Sequence, residues 1–345
     1  MKTTTQKLTE WAINKIKSEY PGDVALLVAV EGHSVNGDEH GLCFDYYVPA
    51  TERGLEFGRT FIIGGIGYDL YPRSWERTER TANLDDRCTL CLGNAKILYS
   101  RSKEDEERFL ALRQKLFDNL KNEEFMYVKA LGKIDEAMNL YRTMMFENEM
   151  YKVRMAAGYI ANYLSIAVAY LNGTYQNDWR IGNIAHLSKL QKLPDGLIQY
   201  IRSMLDAKTS EELKSLSHLM ISTVRRFTAA NAPARAQSTV EPDLHGLADW
   251  YQELSLTFRR LAYYCDINDA EMALTDACSI QNELLIVREE FGLKEMDLLG
   301  CYDSADLSRL KERSIELERY IIDTIESNGV KIDKYNTVDD FLTTN

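Results

Sequence analysis

Val24-Ala25-Leu26-Leu27-Val28-Ala29-Val30 is an unbroken apolar run of strand length. Continuous rather than alternating hydrophobicity predicts a central strand covered on both faces, so helices must pack against the sheet that contains it. Just upstream, Leu8, Trp11, Ala12 and Ile16 recur at helical spacing within Gln6 to Ser18. Pro21-Gly22-Asp23 stops that helix. Downstream, a polar loop with Asn36-Gly37 and Gly41 leads to Cys43-Phe44-Asp45-Tyr46-Tyr47-Val48, an aromatic and β-branched stretch closed by Pro49. Arg59 to Ile63 and Ile66 to Tyr71 then flank Gly64-Gly65, a pair suited to the positive φ angles of a tight hairpin turn. A short helix starts near Ser74, and Lys96 to Tyr99 reads as an edge strand. Five strands and two or three helices are expected in this module.

From Lys103 the pattern becomes helical. Phe109, Leu112, Leu116 and Leu120 keep helical spacing, as do Leu131, Ile134, Met138, Tyr141, Met145 and Met150. Ala156 to Leu171 is apolar and rich in small residues, which predicts the buried central helix of a bundle; Asn162 and its tyrosines argue against a membrane span. Pro194 is read as opening another helix, and Ser210 as the N-cap of the next. Ala229 to Thr239 has linker composition. Three more helices follow, over Leu244 to Cys265, Ala270 to Phe291 and Asp306 to Ser327. The expected class is α+β: a mixed-sheet module over 1–102, a helical bundle over 103–230, and an additional C-terminal helical region over 240–345.

The 345-residue chain is 45% hydrophobic and 27% charged, a balance that supports folding throughout. Six scattered cysteines suit free thiols in a reducing compartment, and neither an export signal nor an 18-residue apolar run is found, so a cytoplasmic protein is expected. A net charge of -12 opposes general nucleic-acid binding, which needs a basic face, and would attract a cationic small substrate. Self-association is left open. Cys88-Thr89-Leu90-Cys91 lacks a second pair at zinc-ribbon spacing and a thioredoxin-like setting, and is read as incidental. Loop histidines His33 and His40 are read as surface residues rather than ligands. Tyr159, Tyr163 and Tyr170 are read as bundle core with edge hydroxyls, or alternatively as a platform for a sugar or base.

The order helix, buried strand, Gly-containing loop, strand with Asp45, and hairpin with Asp69 resembles the nucleotidyltransferase superfamily. The helices after it resemble the substrate-binding half of the kanamycin-type aminoglycoside nucleotidyltransferases, and the resemblance spans roughly residues 1 to 230. It implies a Gly-Ser loop that holds nucleotide phosphates, at Gly32, His33 and Ser34, with His33 where the serine belongs unless Ser34 takes that place. It also implies carboxylates that bind Mg2+ and drive in-line transfer, at Asp45 and Asp69, because paired hard cations stabilise the entering and leaving oxygens of a triphosphate. The family's D-x-D is broken: either Cys43 replaces the first Asp or Tyr47 the second, with Asp38 and Glu39 as substitutes in principle. By the same resemblance Glu147 or Glu149 would be the general base for the acceptor hydroxyl, and Arg154 would bind phosphate.

Three function classes follow. The first is a nucleotidyltransferase moving a nucleotide such as AMP from a nucleoside triphosphate to a small hydroxylated acceptor, an aminoglycoside for example. The second is a degenerate form of that fold which binds a nucleotide or a partner without chemistry. The third is an assembly protein working through residues 240 to 345.

Overall fold

The computed structural model describes residues 4–30, 43–176, 184–233 and 243–344. Two compact units divide the chain, Met1–Ala234 and Arg235–Asn345. In the first, α1 (Thr4–Glu19) leads into β1 (Val24–Val30), β2 (Tyr46–Pro49), β3 (Arg59–Ile63) and β4 (Ile66–Pro72). Next come α2 (Trp75–Ala82), α3 (Leu90–Gly93), β5 (Ala95–Ser100), α4 (Lys103–Asn119), α5 (Glu123–Met144), α6 (Met150–Leu171), α7 (Ile184–Leu187), α8 (Leu197–Asp206) and α9 (Ser210–Ala230).

The five strands form one mixed sheet in the order β3-β4-β2-β1-β5. β1 lies antiparallel to both β2 and β5, and all seven of its residues are buried, as its continuous apolar sequence requires. β2 and β4 run parallel, with Tyr46 opposite Tyr71. The β3–β4 hairpin turns at Gly64 (φ 58°) and Gly65 (φ 82°), left-handed angles that glycine adopts without steric cost. Ala12 and Ile16 of α1 cover one face of the sheet with Leu27, Phe44, Tyr47 and Leu70. The other face, including Leu26, Val28, Tyr46 and Val48, shares a single core with the helices from α2 to α9. α6 is the central helix of that layer: it packs against α5 and α9 and buries residues around most of its circumference.

The second unit contains α10 (Leu244–Asp266), α11 (Ala270–Phe291), α12 (Ser308–Ser327) and an exposed α13 (Val338–Thr344). α10 packs against both α11 and α12 around Leu261, Ala277, Leu284, Leu317 and Ile321. Gln281 pins the connection after α11: its amide donates to Met296 O at 2.9 Å, and its carbonyl accepts from Leu298 N and Leu299 N.

Several boundaries differ from the sequence reading for local reasons. β2 starts at Tyr46 rather than Cys43, because the pairing with β1 becomes irregular at Asp45. Thr209, not Ser210, caps α9, in a reciprocal box with Glu212. Pro194 precedes α8 without opening it; Gly196, at φ 79°, is the N-cap. α12 begins at Ser308, where the expectation was Asp306. No helix among the described residues is long and apolar enough to cross a membrane.

Candidate functional site

Asp45 stands at an irregularity in the sheet. Val28 is in register with Tyr46, yet its carbonyl also accepts the N–H of Asp45 at 2.8 Å, so two residues face one, as in a β-bulge. The in-out alternation slips as a result. Phe44 and Tyr47 pack on the α1 side, whereas Tyr46 belongs to the helical side, and there the Tyr71 hydroxyl donates to Asp45 Oδ2 at 3.3 Å. The Cys91 thiol lies 3.9 Å from the same oxygen. Asp69, two residues before Tyr71, shares that face of β4, where it is exposed and accepts from Thr60 Oγ1 at 3.0 Å. Register therefore brings the two predicted carboxylates to one face of adjacent parallel strands.

The two residues flanking Asp45 in the broken D-x-D do not share this face. The Tyr47 hydroxyl donates to Leu55 O at 3.1 Å on the α1 side, and Cys43 packs on the same side. Burial pushes the Cys43 thiol up to about 11, so it stays neutral near pH 7 and adds no anionic ligand. Among the described residues no group of three His, Cys, Asp or Glu side chains is arranged to hold a metal. Mg2+ is ordinarily held by one or two carboxylates together with substrate phosphates and water, a number that Asp45 and Asp69 could supply. Gly32, His33, Ser34, Asp38, Glu39 and His40 lie outside the described residues.

Glu147, Glu149 and Arg154 cluster at the start of α6. Glu147 pairs with Lys152 at 3.1 Å, and Glu149 is the N-cap residue without a side-chain capping bond. Arg154 donates to the Ala207 carbonyl at 2.8 Å and so ties α6 to the end of α8. At ~1.5 Å of rise per residue, Glu149 is roughly 20 Å along the helix from Tyr163.

The middle of α6 borders a cavity of about 340 Å³ between the sheet module and the bundle. Tyr159, Tyr163 and Tyr170 share one stripe of the helix, and all three line it. The Tyr159 and Tyr163 ring centroids are 6.5 Å apart, Lys133 Nζ sits 5.6 Å from the Tyr163 ring, and Arg87 Nη2 donates to the Tyr163 hydroxyl at 3.4 Å. On the opposite wall are Asp86, Arg87, Cys88 and Thr89. Tyr175, another lining residue, donates to Asn94 Oδ1 at 2.7 Å and lies so close to Gly93 that a Cβ there would collide with its hydroxyl.

Behind that wall is a charged cluster that sequence reasoning missed. Arg73, wholly buried, donates through Nη2 to Asp86 Oδ1 at 3.1 Å and to Thr81 Oγ1, and its guanidinium lies over the Tyr46 ring. Its Nε and Nη1 have no hydrogen-bond partner among the described residues. Asp86 also accepts from Arg77 Nε at 2.8 Å and from Cys88 N at 3.0 Å. Burial raises the Asp86 carboxyl, but the Arg77 bond, the Cys88 amide and Arg73 outweigh it and hold the group below its ordinary value. The C-x-x-C is part of this cluster rather than incidental to it. Cys91 N donates to Cys88 O at 3.0 Å, closing a turn that brings the two cysteines into contact. That contact, helped by Arg73 and Arg77 and opposed by burial and Asp86, lowers Cys88 to about 7. The same contact and deeper burial push Cys91 far up. The only signals in the sequence were the C-x-x-C itself and the charged run Asp85-Asp86-Arg87 before it.

No protein-family model matches the chain, and no curated protein matches it either. Among solved structures, the chain is similar to a nucleotidyltransferase-like protein from Exiguobacterium sibiricum 255-15, at 13% identity and a TM-score of 0.36, over 93% of this chain and 91% of that one.

Proposed function

We propose that the first unit is a nucleotidyltransferase-like module that binds a nucleoside triphosphate in the tyrosine-walled cavity and does not itself carry out metal-dependent transfer. The observation that carries this reading is the convergence of the Tyr159–Tyr163 pair with Lys133 and Arg87 in one cavity. Aromatic rings stack a base whatever its identity, and the two cations suit phosphate oxygens. The volume fits a small ligand. Asp45 and Asp69 are not among the lining residues, so binding there does not depend on them.

Calorimetry on the full chain with each of the four nucleoside triphosphates, with and without magnesium, tests this. Binding is expected to weaken about tenfold in Tyr163→Ala, since base stacking contributes ~1–3 kcal/mol. It should be unchanged in Asp69→Asn. Absence of binding, or binding indifferent to Tyr163→Ala, sinks the reading.

A second reading, active transfer to a hydroxylated acceptor such as an aminoglycoside, is favoured by the shared face of Asp45 and Asp69. It requires magnesium-dependent pyrophosphate release that Asp69→Asn abolishes. Gly32, His33 and Ser34 would then hold phosphate, Arg154 would assist them, and Glu147 or Glu149 would have to reach the acceptor from the start of α6.

A further inference from the structure

We propose that Cys88 and Cys91 are a redox-active dithiol, which a low-molecular-weight disulfide entering the tyrosine-walled cavity converts to an intramolecular disulfide. The inference shares the cavity with the nucleotide reading but does not need a nucleotide to bind there, because the reacting groups are the thiols and the charges around them.

Three features of the geometry carry it. The cysteines close a single turn, with Cys91 N to Cys88 O at 3.0 Å, so their Cα atoms lie within the roughly 7 Å of a turn, compatible with disulfide formation. Their access is unequal: Cys88 lines the cavity and is half-buried, while Cys91 lies wholly buried behind it. Beside them is the enclosed Arg73, whose Nε and Nη1 lack acceptors among the described residues, and the half-exposed Arg77 adds a second positive charge. An electropositive, partly accessible setting of this kind activates a thiolate, whereas an apolar burial leaves a cysteine inert. The groups acting on Cys88 are Cys91, Arg73 and Arg77, which favour its thiolate, and Asp86, which opposes it; the balance leaves it near 7.

The exchange balances without any further reagent. The Cys88 thiolate attacks one sulfur of RSSR, forming Cys88–S–S–R and expelling RS−. The Cys91 sulfur then attacks Cys88 Sγ, breaks the mixed bond and expels the second RS−, which leaves with the Cys91 proton. Two electrons pass from the cysteine pair to the reagent, and two RSH are released once the first RS− takes a proton from water.

The test is incubation of the reduced full chain with oxidised glutathione, followed by intact mass and peptide mapping. Loss of two hydrogens, with Cys88 and Cys91 recovered as one cross-linked peptide, is the expected result. Cys91→Ser should instead accumulate one glutathionyl group on Cys88, and Cys88→Ser should form no cross-link. Should Cys91→Ser fail to fold, the wild-type chain still decides by alkylation near pH 7. Cys88 should react about tenfold faster than a thiol of ordinary pKa, with a midpoint that rises in Arg77→Ala. A purely structural role for Arg77 would leave that midpoint in place. Six thiols still free after treatment, or modification confined to the exposed Cys278, would overturn the proposal.

Discussion

Both units bury ion pairs, but one pair of the first unit is built in the opposite sense to those of the second. In the second unit the buried partners are acids. Asp276 accepts two bonds from Arg260, at 3.0 and 3.2 Å, and Glu318 accepts from Arg259 and from the Tyr251 hydroxyl at 2.9 Å. The two arginines reach in from the surface, with side chains 49% and 61% exposed, so their remaining N–H groups stay hydrated. At Arg73 in the first unit the buried partner is the base, whereas Asp105, held there by the partly exposed Arg101, follows the pattern of the second unit. Arg73 is 0% exposed, its five donors face a protein interior, and two of its nitrogens find no acceptor among the described residues. Complete pairs with one wet end fasten helices, here α10 to α11 and α10 to α12. An enclosed and under-satisfied cation instead imposes its field on its neighbours, and those neighbours are Asp86 and the Cys88–Cys91 pair.

The contrast is broken most directly by removing the acid on each side. Asp86→Ala leaves Arg73 buried with Thr81 as its remaining side-chain acceptor, and loss of one partner of such a pair costs about 3–5 kcal/mol. Glu318→Ala frees an arginine that is already largely in water, so its cost is smaller, about 1–3 kcal/mol, arising mainly from the orphaned Tyr251 hydroxyl and lost packing. Urea unfolding gives the magnitudes, and hydrogen exchange locates them: protection should fall in the first unit for Asp86→Ala and in the second for Glu318→Ala. Equal costs would show that the exposure of the arginine does not govern the penalty.

The sequence makes the scaffold more legible than the site, and the reason is physical. The run Val24 to Val30, the Gly64-Gly65 turn and the small-residue stretch ending at Leu171 each carry a local signature of their final environment, so the five strands and the long helices could be read in order. The cavity has no local signature. It exists because Asp86 to Thr89 fold back against tyrosines some seventy residues later, and no periodicity reports such a meeting. Asp45 shows the intermediate case. Its strand was recognisable, but simple alternation along Cys43 to Tyr47 puts Tyr47 beside it, and only the bulge at Val28 turns Asp45 towards Tyr71. Arg73 was invisible for a plainer reason: an arginine after a strand is ordinarily a surface residue.

A change of pH sharpens the same comparison with a smaller effect. Asp86 titrates below the ordinary aspartate value of 3.8, so the stability it contributes is complete above that value and is lost as pH falls through its depressed folded value. Moving from about pH 5 to about pH 3 should therefore destabilise the wild-type chain through this group. Arg77→Ala removes the foremost of the interactions that hold the carboxyl down, and should shrink that pH-dependent component. Urea midpoints across this range check it, and a profile identical in the two proteins would assign the acid sensitivity elsewhere.

The smallest change tests whether the complete pairs of the second unit are as purely structural as their geometry suggests. Tyr251→Phe removes the hydroxyl donor to Glu318 while keeping the ring in the core of α10 and α12. Glu318 retains Arg259, so no unpaired charge results, and the cost should be that of one hydrogen bond to a charged acceptor at the low end of its range, about 1.5 kcal/mol, because the guanidinium can compensate. Combined with Glu318→Ala, the substitution should recover part of that variant's cost, since it removes the hydroxyl that has lost its acceptor. A double-mutant cycle measures that non-additivity directly. Full additivity would mean that the hydroxyl and the carboxylate stabilise the unit independently, and that the pair at α12 is not the closed network on which the contrast with Arg73 rests.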